Sequence, residues 1–162
     1  MNNSKIALAV AFGAAVLGSA GVAQAQAPGF GAPISLDAAR RCIAAGEAES
    51  RKNNWTMAIN VLDVGGHSVA SIRQDGTQFG SAKIAQDKAF SAIAYRRPTK
   101  VFEDIVAKGG DGLRILKLDG AIPVEGGIPI VMAGAMVGAV GASGGTAAQD
   151  GIVAKACVDA LK

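Results

Sequence analysis

His67 is the only imidazole in the chain, and it closes the segment Asp63-Val64-Gly65-Gly66-His67. An imidazole in a loop either ligates a metal or meets water, and the residues alone leave both open. Downstream, Arg96-Arg97-Pro98-Thr99 combines two cations, a hydroxyl and backbone fixed by proline. Arg73 and Lys100 add further charge able to hold a carboxylate. Lys83, Asp87 and Lys88, at i, i+4 and i+5, partly share one helical side, an arrangement that suits acid–base chemistry or a solvated, ion-paired face. Cys42 and Cys157 are the two cysteines of the chain. No C-x-x-C motif and no zinc-ligand spacing accompanies them, so a structural disulfide or two buried thiols outrank a redox pair. Met57, Met132 and Met136 lie in apolar runs and read as core.

Two glycine-rich readings fail on chemistry. Gly141-Ala142-Ser143-Gly144-Gly145 has the form of a nucleophile elbow, but no histidine follows Ser143 as that hydrolase order requires. The same stretch lacks the Gly-Lys-Ser/Thr that closes a phosphate loop. Gly138, Gly141 and Gly144 instead let the backbone turn or approach a ligand or a neighbouring subunit, and Ser143 or Thr146 caps the last helix. Free amides at that helix start are suited to holding a carboxylate. The small residues of Ala133 to Gly145 close no core alone, so the segment is expected beside another subunit.

These groups are positioned by a short series of elements. Ser35 caps a helix over Leu36 to Lys52, with Leu36, Ala39, Ile43 and Gly46 on one side and Arg40, Glu47 and Arg51 towards the other. Trp55 to Val64 and Ser68 to Gln74 form a hairpin about Gly65-Gly66. A second helix, Gly80 to Ala94, ends before Arg96-Arg97-Pro98, because proline disfavours helical geometry in its predecessor. A short helix covers Thr99 to Ala107. After Gly109-Gly110-Asp111-Gly112, strands are expected at Leu113 to Leu118, Ile128 to Met132 and Met136 to Val140. The last helix, Ala147 to Leu161, sets Ile152, Val153, Ala156, Cys157, Ala160 and Leu161 on one face. The order αββααβββα describes an α/β domain with a mainly antiparallel sheet covered by helices.

The N-terminus has the order of a secretory signal: Lys5, an apolar run from Ile6 to Leu17, then small residues ending Ala23-Gln24-Ala25. Cleavage is expected after Ala25, giving a signal over residues 1–25, a Pro/Gly linker over 26–34 and one domain over 35–162. The mature chain is expected in the periplasm or medium, with no membrane span. The net charge of +3 drops by one with Lys5. The remaining Lys and Arg are interspersed with acids, and Trp55 and Tyr95 stand alone, so nucleic acid is excluded as a partner.

Asp63-Val64-Gly65-Gly66-His67, Arg73-Gln74-Asp75-Gly76, Ser81-Ala82-Lys83-Ile84-Ala85 with Asp87-Lys88-Ala89, and Arg96-Arg97-Pro98-Thr99 together resemble the first half of a GlcG/HbpS domain. Gly126-Gly127-Ile128-Pro129-Ile130, Gly138-Ala139-Val140-Gly141-Ala142-Ser143-Gly144 and Gln149-Asp150 resemble its second half, in the family's order. The resemblance covers nearly all of Leu36 to Leu161. It implies a helix-covered antiparallel sheet that assembles into homo-oligomers, and a group in which several members bind haem. On that basis His67 is the expected haem-iron ligand. Arg73, Arg96 and Arg97 are the expected partners of the propionates, and Thr99 the hydroxyl on the haem face. The relation to the PduO C-terminal domain and to glycolate-oxidation genes implies a second function class, an accessory subunit or small enzyme acting on a corrinoid or an oxidised acid, with Lys83, Asp87 and Lys88 as its acid–base groups. The third class is an oligomeric structural protein without ligand. Export favours the haem-binding reading, in which no residue is catalytic.

Overall fold

The computed structural model describes residues 27–162; the signal read over residues 1–25 lies outside the described residues. The elements are α1 (Leu36–Lys52), β1 (Ala58–Asp63), β2 (Ser68–Arg73), α2 (Gly80–Ala94), α3 (Thr99–Ala107), a 3-10 helix (Gly110–Lys117), β3 (Gly127–Met132), β4 (Ala135–Ser143) and α4 (Ala147–Asp159). The strands form one antiparallel sheet in the order β2-β1-β4-β3. Alternation along β1 and β4 sends Ile59, Val61, Val140 and Ala142 into a core with Ala39, Cys42 and Ile43 of α1 and Val153 and Cys157 of α4. Ala139 on the other face meets Ala92 and Ile93 of α2. The result is three layers, with α2 on one face of the sheet and α1 and α4 on the other.

Local chemistry explains the ends of the helices. The Ser35 hydroxyl accepts from the Ala38 amide at 3.2 Å, and Thr146 forms a capping box with Gln149. Cys42 and Cys157, 115 residues apart, are joined as a disulfide that ties α1 to α4. No helix among the described residues is long and apolar enough to cross a membrane.

Four expectations are corrected. Leu113 to Leu118 is not a strand but most of the 3-10 helix, so the order holds four strands. A short apolar run does not distinguish helix from strand, and here the β3 edge is not free to receive one, because β3 has Pro129 at its centre and its Gly127 amide bonded to Thr99. Residues 26–34 are not a free linker over their described part. Gly31 and Ile34 donate to the Met136 and Val137 carbonyls, Met136 donates to Gly29, and Phe30 bridges Met136. Ile152 is exposed, and the buried stripe of α4 runs through Asp150, Val153, Ala154 and Cys157. Finally, the small residues of β4 serve this chain's own helix. A Cβ on Gly141 would collide with the Ala85 carbonyl, so glycine there lets α2 lie directly on the sheet.

Candidate functional site

The β1–β2 turn and the C-terminal end of α2 meet at one corner. Asp63 Oδ1 accepts from the amides of Gly65 at 2.8 Å and His67 at 3.0 Å, closing the turn, while Gly66 takes a φ of 81°. The same oxygen lies 3.6 Å from His67 Nδ1, and the His67 side chain is 84% exposed. The His67 amide holds the Asp63 carboxyl below its ordinary value, partly opposed by desolvation, so the group is a carboxylate at neutral pH. At 3.6 Å the two are too far apart for a hydrogen bond, and Nδ1 is the ring nitrogen turned towards the carboxylate. Nε2 is then the nitrogen left for an incoming group.

Beside this turn lies a cavity of about 170 Å³ lined by Phe30, Val64, Gly66, Phe90 and Ile93 among others. Phe90 projects from α2, and Phe30 arrives on the segment bridged to β4. The helix ends in a reversal in which the Arg97 amide donates to the Ala92 carbonyl at 3.2 Å and Arg96 adopts a φ of 51°. That position ordinarily takes glycine. Arginine there carries backbone strain, and its guanidinium is set 5.9 Å from the centre of the Phe30 ring. The corner thus combines aromatic and aliphatic walls, one cation and one carboxylate-backed imidazole. Its cavity is smaller than the ~300–1,000 Å³ that encloses a drug-sized ligand, so it suits one face or edge of a flat apolar molecule.

Of the residues singled out in the sequence, His67 and Arg96 flank this cavity without lining it, His67 next to Gly66 in the turn and Arg96 over the Phe30 ring. Arg73 stands at the end of β2 and donates through Nη1 to the Thr77 carbonyl at 2.9 Å. Arg97 donates through Nε to Tyr95 O at 3.1 Å and stacks over Phe102. Thr99 is fully buried, its hydroxyl accepting the Gly127 amide at 2.9 Å. None of the three lines the corner cavity. Sequence reasoning missed Phe30 and Phe90 as site residues. In the sequence Phe90 is one of several apolar residues of α2, and the one available signal for Phe30 is a lone aromatic in a Pro/Gly segment.

Lys83, Asp87 and Lys88 do not form an acid–base set. Lys83 pairs with Asp87 on the exposed side of α2, whereas Lys88 is buried and its Nζ meets Asp150 Oδ2 at 2.6 Å and the Ala142 carbonyl at 3.3 Å. The other Asp150 oxygen accepts the Gly145 amide at 3.0 Å. Burial pushes the Asp150 carboxyl above its ordinary value, with Lys88 and Gly145 pulling it back. The Gly145 amide just ahead of α4, expected to be open to a ligand carboxylate, thus serves an internal one. Among the described residues no group of three or more His, Cys, Asp or Glu side chains stands together as a metal cage.

Residues 34–159 match the family described as haem degrading protein HbpS-like. The chain is 43% identical over 110 residues to Protein GlcG of Escherichia coli (strain K12), covering 68% of this chain and 81% of GlcG. Its fold is that of the crystal structure of HbpS, with a TM-score of 0.74 at 25% identity over 82% of this chain and 92% of that one. It also superposes on PduOC, solved as a haem complex, with a TM-score of 0.72 at 22% identity over 80% of this chain and 96% of PduOC.

Proposed function

The chain belongs to the HbpS-like family, and from that premise we propose that it binds haem at the hairpin corner, as an exported protein that associates with copies of itself. The observation that carries the reading is an apolar cavity walled by Phe30 and Phe90, with His67 next to its lining residue Gly66 and Arg96 over the Phe30 ring. A haem needs an axial ligand, apolar contact for the macrocycle and cations for its propionates. His67 would supply the first through Nε2, steadied by Asp63. Phe90 and Phe30 would supply the second, and Arg96 the third. Haem bound in this way brings redox and oxygen chemistry at its iron; the chain's part is to bind, orient and bias the ligand. Further support comes from the family description, which names haem, and from PduOC, a relative in fold that was solved with haem bound.

Titration of the mature protein with haemin, followed by visible absorbance, tests this. A saturable Soret shift with haemin, and none with free iron or cobalamin, is expected. A shift with cobalamin alone would overturn the haem reading in favour of a corrinoid.

A further inference from the structure

The two edges of the sheet are finished differently. At the β3 edge, the Ala142 amide donates to the Gly126 carbonyl at 2.9 Å, a register that turns the backbones of Gly127 and Pro129 outwards. Thr99 accepts the Gly127 amide, and proline has none to offer. That edge is closed to another strand. At the β2 edge, the Gln74 amide donates to the Met57 carbonyl at 3.0 Å, so the alternation leaves the backbone N–H and C=O of Ser71 and Arg73 pointing out of the sheet. The helices leave this edge open on both faces, with a groove of about 430 Å³ on the α1 side and one of about 390 Å³ on the α2 side. β2 contains neither proline nor an inward charge, two of the usual guards of an exposed edge, and its one irregularity is a register shift against β1 at Val69, near its start. The guanidinium of Arg73 is drawn back onto Thr77.

We propose that β2 pairs antiparallel with β2 of a second copy, about a two-fold axis at Ser71, fusing the two sheets into one. Three observations select a second copy as the occupant. Each chain has one open and one closed edge, so head-to-tail addition onto β3 is blocked and self-pairing ends at a dimer. The strand is small at its middle, Ala70-Ser71, where the backbones must approach. The flanking helix is also complementary to itself. The α1-side groove brings Arg40 and Glu47 alongside Val69 to Ile72, and the groove at the end of β2 brings Glu47 beside Arg73. Antiparallel pairing about Ser71 sets Val69 against the partner's Arg73, which directs Arg40 towards the partner's Glu47. Arg40 has no ion-pair partner among the described residues, whereas Glu47 holds only Arg51.

This surface rests on the self-association proposed above but not on haem. Light scattering of the mature protein at micromolar concentration, for the parent and Ser71→Pro, tests it. The Ser71 amide faces away from β1, so proline removes a donor that only the partner uses. The expected result is a mass half that of the parent, with unchanged far-UV circular dichroism. A parent of monomer mass would overturn the proposal, leaving the edge to a foreign strand or to none, as would a folded Ser71→Pro that keeps the parent's mass. Should Ser71→Pro fail to fold, charge reversal decides: Arg40→Glu and Glu47→Arg should each shift the mass downward, and the double variant should restore it. Failure of that restoration would overturn the pairing, while haemin titration reads the haem proposal separately.

Discussion

Lys88 and Asp150 show 1% and 4% side-chain exposure, so each charge depends on the other rather than on water. Removing one member leaves an uncompensated buried charge, a change that destabilises by about 3–5 kcal/mol, whereas replacing both by apolar residues is often close to neutral. Asp150→Ala or Lys88→Met should therefore lower the urea midpoint sharply, and Lys88→Met combined with Asp150→Leu should recover most of the loss. Equal losses in all three would contradict the pairing. The pair was hidden from sequence reasoning because its members are 62 residues apart, and a lysine next to Asp87 on a polar stretch of α2 reads as solvated. Legible residues were those whose role is local. His67 beside Gly65-Gly66 and Arg96 before Pro98 carried their geometry in their neighbours, whereas the Phe30 and Phe90 walls exist only once β4 has been formed.

The joins between elements are strongest where α1 meets α4. The bond between Cys42 and Cys157 closes a loop spanning most of the domain, and chain entropy for a loop of that length is worth about 4–5 kcal/mol. Reductant should lower the midpoint of unfolding, and Cys42→Ala with Cys157→Ala should match the reduced parent. An identical thiol count with and without reductant would contradict the bond. Helix boundaries were read closely from sequence because caps, Pro98 and helical periodicity are local signals. The run Leu113 to Leu118 misled because its outcome is set by tertiary context, the closed edge of β3. The glycines of β4 were recognised as close-approach positions, but the approaching partner, α2, emerges only from the assembled sheet.

At the scale of the whole molecule, the proposed export signal precedes a disulfide-tied three-layer domain that carries the proposed ligand corner at one end of its sheet. Protein recovered outside the cytoplasm should have the mass of a chain starting at Gln26, and recovery there of an intact Met1 terminus would contradict export. An oxidising compartment is consistent with the bond between Cys42 and Cys157. The fold class and the family were legible in the sequence; of the proposed ligand corner, His67 and Arg96 stand out there as candidates, whereas Phe30 and Phe90 do not. The central claim is that this corner binds haem through His67. The most direct measurement is the Soret band and affinity of haemin with the parent and with His67→Ala. The parent should bind with a shifted band, and His67→Ala should bind more weakly with a different band, having lost the iron's imidazole. A parent that does not bind haemin, or a variant with the parent's spectrum and affinity, would contradict it.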